Sequence, residues 1–455
     1  MNRTQTGRDA DAPKAAGGAS LLRVLGVGFG LAVIIGNTVG AGILRTPGEV
    51  AARLPDAWLF LGAWVLGGLY ALLGALQIAE LGTALPRSGG QYVYARRALG
   101  PFAGFVVGWS DWVSTCGTAA AVSIVVGEYA GALVPALEGR AVALALSVNL
   151  LFAALQWRGV VWGSRVQNLT SALKALAFFA LVAACFALAP GDAARGETTT
   201  PQTPSGLPLL VALVAALQAV IYTYDGWTGV IYFSEEVREP ARDIPRSLVG
   251  GVLLVCAIYL SVNLALLYVL PLASLAGEEL AVGAAARVVF GQHGDTSIRA
   301  LTIVSMLGGL NAYHLMATRV LFAMSRDRLF TERAARVNRG GTPDLALLVG
   351  ACVSALFILL GSFNEVIAVL AFFFVANYAL SFISLFVLRR REPDLPRPHR
   401  AWGYPFTTAL ALAGSLAFLA GAVLADTRNS LRALVLLALS YPVYRLSRRL
   451  ARAAA

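Results

Sequence analysis

The sequence predicts an all-α polytopic membrane protein of about twelve transmembrane helices. They form two five-helix repeats of opposite orientation plus two peripheral helices. Three observations lead there. Of 455 residues, 58% are hydrophobic and only 13% charged, against about 25% charge in soluble domains. The apolar residues cluster in about twelve stretches, each near the roughly 20 residues that cross a bilayer. Two stretches, the first and the sixth, are interrupted by glycines and polar residues at matching places, which points to an inverted repeat with its site at the midplane.

Residues 1–20 are polar, with Arg3, Arg8 and Lys14 against Asp9 and Asp11, and contain no apolar signal-peptide core. They are read as a disordered cytoplasmic tail. The first repeat covers 21–189. Its first span starts near Leu21 and holds the run Ile34-Ile-Gly-Asn-Thr-Val-Gly-Ala-Gly-Ile-Leu-Arg-Thr-Pro47. Gly36, Gly40 and Gly42 beside Asn37 and Thr38 favour an unwound backbone, which survives at membrane depth only against a cavity or inside protein. The break is expected to leave a helix N-terminus near Gly42 and Ile43, whose free N–H groups attract an anion. Spans two to five are expected at Trp58–Leu85, Phe102–Leu133, Ala141–Trp157 and Val166–Ala189. An extracytoplasmic loop, 190–206, follows.

The second repeat, 207–390, opens with a sixth span, Leu207–Phe233, interrupted at Tyr222-Thr-Tyr-Asp-Gly-Trp-Thr-Gly229. The seventh is expected at Ser247–Pro271, and Leu272–Thr296 as a mixed outer segment with short surface helices. The eighth to tenth follow at Ser297–Met324, Pro343–Gly361 and Val366–Leu388. Residues 391–447 hold a cytoplasmic loop and the last two helices, Thr407–Ala425 and Leu431–Leu446, before a tail, 448–455. Loops after even-numbered spans carry Arg87, Arg96, Arg97, Arg158, Arg165, Arg326, Arg328 and Arg389 to Arg391. Those after odd-numbered spans mix few arginines with Glu138, Asp192, Glu197, Glu278 and Glu279. The positive-inside rule then puts both termini in the cytoplasm of an inner-membrane protein, and makes the net charge of +11 a topology signal and not a nucleic-acid surface.

The candidate ligand is a zwitterion. Its carboxylate fits the amides of Gly40, Ala41 and Gly42 at the positive end of a half-helix. Its ammonium fits freed carbonyls, with those of Thr38 and Tyr222 as candidates. Tyr222 is a candidate lid, and Thr228 lies in the same interruption. Lys174 stands inside the fifth span of a chain that otherwise uses arginine, with Lys14 the only other lysine. Snorkelling to the interface competes with a functional role. An amine can also give up its proton where a guanidinium cannot, so Lys174 is either a fixed cation in place of a coupling sodium or a proton carrier. Asp225, inside the broken sixth span, is left with three roles: substrate contact, proton carrier, or N-cap of the following half-helix. Asp111, Glu80 and Glu128 are read as structural. Asn311, His314 and Asn377 are candidates for the cavity, although a lone polar residue on a membrane helix also serves as interhelical glue. No metal or cofactor is expected: the cysteines, Cys116, Cys185, Cys256 and Cys352, lie in apolar spans without metal spacing.

These motifs together resemble the amino acid–polyamine–organocation superfamily, nearest its L-type transporter branch. The matching pieces are Ile35-Gly-Asn-Thr-Val-Gly-Ala-Gly-Ile43, Ala79-Glu-Leu-Gly-Thr-Ala-Leu-Pro-Arg-Ser-Gly-Gly-Gln-Tyr-Val-Tyr94, Tyr224-Asp-Gly-Trp227, Glu235-Glu-Val-Arg-Glu-Pro240 with Pro245-Arg246, and Leu310-Asn-Ala312 with Arg319. The resemblance implies a leucine-transporter-like fold and amino acid transport by alternating access, sodium-independent, as an exchanger or proton symporter. It implies that Gly40, Ala41 and Gly42 hold the carboxylate, that Tyr222 is the aromatic gate, and that Lys174 bridges toward the first and eighth helices. The chain departs from the pattern at Ala41, where many relatives have serine, at Tyr222, where phenylalanine is common, and at Asp225, where some have glycine. With no cysteine between the third and fourth spans, no disulfide-linked heavy chain is expected. Two other readings keep the same fold: a non-transporting substrate sensor, and a polyamine or cationic amino acid transporter. An enzyme is disfavoured, since no His-Glu-x-x-His or Gly-x-Ser-x-Gly motif occurs.

Overall fold

In the computed structural model the described residues are 21–189, 203, 205–360, 363–425 and 427–453. They form sixteen α-helices. The first apolar stretch makes two of them, α1 (Val27–Thr38) and α2 (Ala41–Arg53), bent by 47° at the break. Then come α3 (Ala57–Ala84), α4 (Gln91–Leu99), α5 (Pro101–Leu133), α6 (Ala141–Trp157) and α7 (Val160–Leu188). The second half holds α8 (Leu207–Tyr224), a 3-10 helix at Gly229–Phe233, α9 (Pro240–Val269), α10 (Leu272–Leu275), α11 (Ala281–Phe290) and α12 (Gly294–Arg326). The remainder are α13 (Asp344–Leu360), α14 (Phe363–Arg391), α15 (Phe406–Ala425) and α16 (Thr427–Ala453).

Among the described residues, eight of these helices are long and apolar enough to cross a membrane, and the bent pair makes a ninth span. The apolar helices α6 and α13 are shorter, at 17 residues each; with α16 they complete the expected set. The chain's own chemistry sets several starts. Asp56 caps α3 by accepting the Leu59 amide at 2.9 Å, and α5 and α9 open on Pro101 and Pro240, which need no amide acceptor.

Three boundaries reach beyond expectation by six residues or more, each because polar residues can occupy a helix end that reaches past the lipid. The fifth span starts at Val160 and not Val166, and the seventh at Pro240 and not Ser247. α16 continues to Ala453, through what was expected as tail. The segment Gln91–Leu99, expected as loop, is helical: Asp327 at the end of α12 takes the Tyr92 hydroxyl at 2.9 Å and the Arg96 guanidinium at 3.0 Å. The outer segment does contain short helices, but α11 does not lie on the surface; Ala281 to Ala286 are buried. The tail 1–20 and most of the loop 190–206 lie outside the described residues.

Helices α5 and α12 form the buried centre, whereas α7, α8 and α15 turn most of their apolar surface outward. At the arginine-rich end the two broken spans meet directly. Leu25 donates its amide to the Glu236 carbonyl at 2.9 Å, and Arg238 donates back to the Leu25 carbonyl at 2.8 Å. Arg319 forks onto the Glu236 carboxylate with two bonds of 2.9 Å, both side chains fully buried. Phe29 and Phe233 pack edge to face there.

Candidate functional site

Breaking a helix frees its last four carbonyls and the first amides of the next segment, and here nearly all the freed groups can be traced. Of the α1 carbonyls, Ile35 accepts the Val39 amide at 3.0 Å. Gly36 accepts Lys174 Nζ at 2.9 Å, Asn37 the Tyr313 hydroxyl at 3.2 Å, and Thr38 the Tyr259 hydroxyl at 2.6 Å. Val39, in the break itself, takes Lys174 Nζ at 2.6 Å and the Ser305 hydroxyl at 3.0 Å. Side chains from α7, α9 and α12 thus replace the missing turn. One of them is the Lys174 amine at a helix C-terminus, where the dipole favours its protonated form. A turn further in, Ser171 and Gln167 of α7 both bond the Ala32 carbonyl, at 2.6 and 3.1 Å.

The amides behave differently. No acceptor among the described residues takes the N–H of Gly40, Ala41 or Gly42. Those three residues are partly exposed, while Ala32 to Val39 before them and Ile43 and Leu44 after them are buried. The helix begins at Ala41 with Gly40 as its cap, one or two residues earlier than expected. The result is a donor-rich notch at a helix N-terminus, suited to a carboxylate. Gly42 is needed there because a Cβ would stand 2.9 Å from the Thr223 methyl group. Beside it, the Thr46 and Thr223 hydroxyls lie 2.7 Å apart.

The sixth span supplies the opposite wall. α8 ends at Tyr224, and the Asp225 amide closes its last turn on the Tyr222 carbonyl at 3.1 Å. Gly226 then adopts φ 109°, and a Cβ on it would sit 2.8 Å from the Asn37 Cβ, so the two interruptions touch. The Tyr259 hydroxyl reaches the Thr223 carbonyl at 2.9 Å as well as that of Thr38. Its one proton serves one carbonyl at a time, so two helix ends rich in acceptors face a single donor.

The structure brings Gly40, Ala41, Gly42, Thr38 and Lys174 together at the first break, with Tyr222 and Asp225 partly exposed at the second. Thr228 is buried and is the N-cap residue of the 3-10 helix, without a side-chain capping bond. Asp225 does not N-cap that helix; its carboxylate accepts the Tyr378 hydroxyl, and Tyr378 packs 4.9 Å from Trp227. Asn311 and Asn377 sit elsewhere. Asn311 is fully buried, accepts from Gln156, and donates to the Gly163 carbonyl at 3.0 Å and Gln167 Oε1 at 2.8 Å. Asn377 accepts the Ser110 hydroxyl at 3.0 Å. Both tie helices together. His314 is buried, and its backbone carbonyl takes the Thr318 hydroxyl. Asp111, read as structural, is buried and accepts the Tyr232 hydroxyl at 2.8 Å. Sequence reasoning missed Tyr259, Ser305 and Tyr313, since one hydroxyl within an apolar span carries no periodic signal.

The family model described as amino acid permease matches residues 28–439. The serine/threonine exchanger SteT of Bacillus subtilis (strain 168) is 31% identical over 433 residues, covering 93% of this chain and 96% of that protein. The Asc-type amino acid transporter 1 of Mus musculus is 28% identical, covering 83% of this chain and 73% of its own length. For the b(0,+)-type amino acid transporter 1 of Homo sapiens the identity is 27%, with 83% and 78% covered.

Proposed function

The chain belongs to the amino acid permease family, and from that premise we propose that it is a sodium-independent exchanger of small neutral amino acids. It works by alternating access in a cell inner membrane, with both termini in the cytoplasm and no disulfide-linked heavy chain. One observation carries this reading: an unpartnered donor notch at Gly40–Gly42 lies beside a break whose carbonyls already hold the Lys174 amine. The notch suits a carboxylate. The acceptors around Thr38 and Thr223, served by one Tyr259 proton, suit an ammonium. The Lys174 amine occupies the Gly36 and Val39 carbonyls, acceptors at the first break that a coupling sodium ion would otherwise use. Smallness is supported by the lack of room for even a Cβ between Gly42 and Thr223 and by the Thr46–Thr223 hydroxyl pair, which offers hydroxyl partners to a short side chain. A relative named as a serine/threonine exchanger agrees with that class.

A cationic substrate is the second reading, favoured by Asp225, a partly exposed carboxylate that forms no salt bridge among the described residues. Purified chain in proteoliposomes separates the possibilities. Radiolabelled L-serine and L-threonine should enter only vesicles preloaded with amino acid, equally with and without sodium, and arginine or putrescine should compete poorly. A sodium requirement would overturn the proposal. Accumulation in empty vesicles driven by a pH gradient would replace exchange with proton symport, and strong competition by arginine would select the cationic reading.

A further inference from the structure

From Thr427 onward the sequence carries six arginines and no acidic residue, and four of them, Arg445, Arg448, Arg449 and Arg452, fall close together. The first three of these are exposed on α16, and no carboxylate pairs with them among the described residues. Helical spacing puts Tyr441, Arg445 and Arg448 on one stripe. The Arg445 guanidinium lies 5.8 Å from the centre of the Tyr441 ring, over its face, and that of Arg448 lies 5.7 Å over the Tyr444 ring. Phe102, at the start of α5, meets the same two rings at 5.8 and 5.3 Å. Tyr444 is buried, whereas Phe102 and Tyr441 are exposed. Two planar cations thus rest on an aromatic shelf. Arg448 Nη1 donates to the Tyr444 hydroxyl at 3.3 Å, and the other N–H groups of both forks have no acceptor among the described residues. Two bonds fasten the shelf to the rest of the protein. Trp109 Nε1 donates to the Leu436 carbonyl at 3.3 Å, and the Ser447 hydroxyl to the Leu329 carbonyl at 2.6 Å, two residues beyond Asp327.

We infer that Arg445, Arg448 and Arg449, with Phe102 and Tyr441 beside them, bind the headgroup phosphate of an anionic phospholipid in the leaflet at the arginine-rich end. An acid-free basic turn at the end of a spanning helix is the arrangement that draws such headgroups. Guanidinium forks match phosphate oxygens two bonds at a time, and rings that already hold the forks lower the ordering cost of binding. The exposed apolar side chains of Val435 and Leu439 continue α16 into the bilayer, where the acyl chains lie. A lipid held there braces α16 against α5 and, through Ser447, the segment that follows α12.

The test titrates phosphatidylglycerol into the full chain, purified in detergent micelles containing phosphatidylcholine, while Tm is recorded. The parent's Tm should rise and saturate, and inorganic phosphate should leave it unchanged. In Arg445→Gln/Arg448→Gln the half-saturating phosphatidylglycerol should increase about tenfold or more, since each arginine near a charged lipid surface contributes about fivefold. Arg445→Lys/Arg448→Lys keeps the charge but not the forks, and should weaken binding by about threefold. Arg428→Gln/Arg432→Gln removes equal charge from exposed positions at the other end of α16, and should keep the parent's half-point. Each variant is read against its own Tm in phosphatidylcholine, so a change in basal stability does not mask the response. No rise in the parent, or a parent-like half-point in both the glutamine and lysine variants at 445 and 448, would overturn the site. Equal weakening in the 428/432 variant would reduce the effect to net charge and overturn it too. A response reproduced by inorganic phosphate would assign the arginines to a free anion and not to a lipid.

Discussion

Lys174 shows what a single atom does at this site. Its Nζ lies 2.9 Å from one freed carbonyl and 2.6 Å from another, on either side of the bend in the first span. Lys174→Met keeps the stem and removes the donors, leaving the Gly36 carbonyl without a partner, at about 1–3 kcal/mol, and the Val39 carbonyl with the Ser305 hydroxyl alone. Exchange in proteoliposomes should fall at least about tenfold, the equivalent of one such loss. Lys174→Arg should not restore it, because a planar fork cannot enter a space that fits one ammonium. Parent-like exchange in the methionine variant would remove Lys174 from the mechanism. Gly42 gives the complementary case. Gly42→Val adds a branched side chain where even a Cβ stands 2.9 Å from Thr223, and overpacking of that kind costs about 1–3 kcal/mol. Binding of L-serine, read by ligand-induced thermal shift, should be lost while the chain still folds. Retained binding would mean that the carboxylate docks elsewhere.

At the scale of elements, what a sequence can announce is the break and not the repair. Three glycines beside Asn37 and Thr38, and Asp225-Gly-Trp-Thr in the sixth span, mark where helices fail, and the structure bends or unwinds at both. The notch residues were legible because they are the break. Tyr259, Tyr313 and Ser305 were not, since each sits alone on an apolar helix and acquires meaning only when α9 and α12 pack on α1. Asn311 and Asn377 show the converse: their polarity was visible, but which face they occupied was not. The repair has a measurable weight. Tyr259→Phe removes the one hydroxyl shared by the Thr38 and Thr223 carbonyls and keeps the ring contacts with Trp64 and Tyr224. The loss should be about 1 kcal/mol, roughly fivefold in L-serine affinity, with the helices still in place. Equal affinity in the two proteins would show that the two broken spans are held in register by other contacts.

On the scale of the whole molecule, the two broken spans differ at their ends. Towards the notch they are joined through side chains and leave partly exposed amides. At the arginine-rich end they are joined by main chain, through the Leu25–Val237 bridge, and a fully buried ion pair ties the sixth-span side of that bridge to Arg319 of α12. Glu236 belongs to both contacts, since its carbonyl takes the Leu25 amide and its carboxylate takes Arg319. The conformation is therefore closed at that end, and opening there requires the main-chain bridge to part, a bridge whose Glu236 side is buttressed by Arg319. Glu236→Gln keeps the main-chain bridge but leaves the Arg319 cation without its counter-charge, a change that costs about 3–5 kcal/mol for a buried pair. Conformations that interconvert in such a protein differ by only a few kcal/mol, so a loss of this size should move the population toward opening at the arginine-rich end. A Val33→Cys probe, in a background with the four native cysteines replaced, should react faster with an impermeant maleimide applied from that side. The Tm should also fall. Glu236→Met with Arg319→Met, which removes both charges, should recover part of the Tm while labelling stays fast, because the bridge then lacks its buttress. Labelling at the parent rate in Glu236→Gln would show that the main-chain bridge alone keeps that end shut.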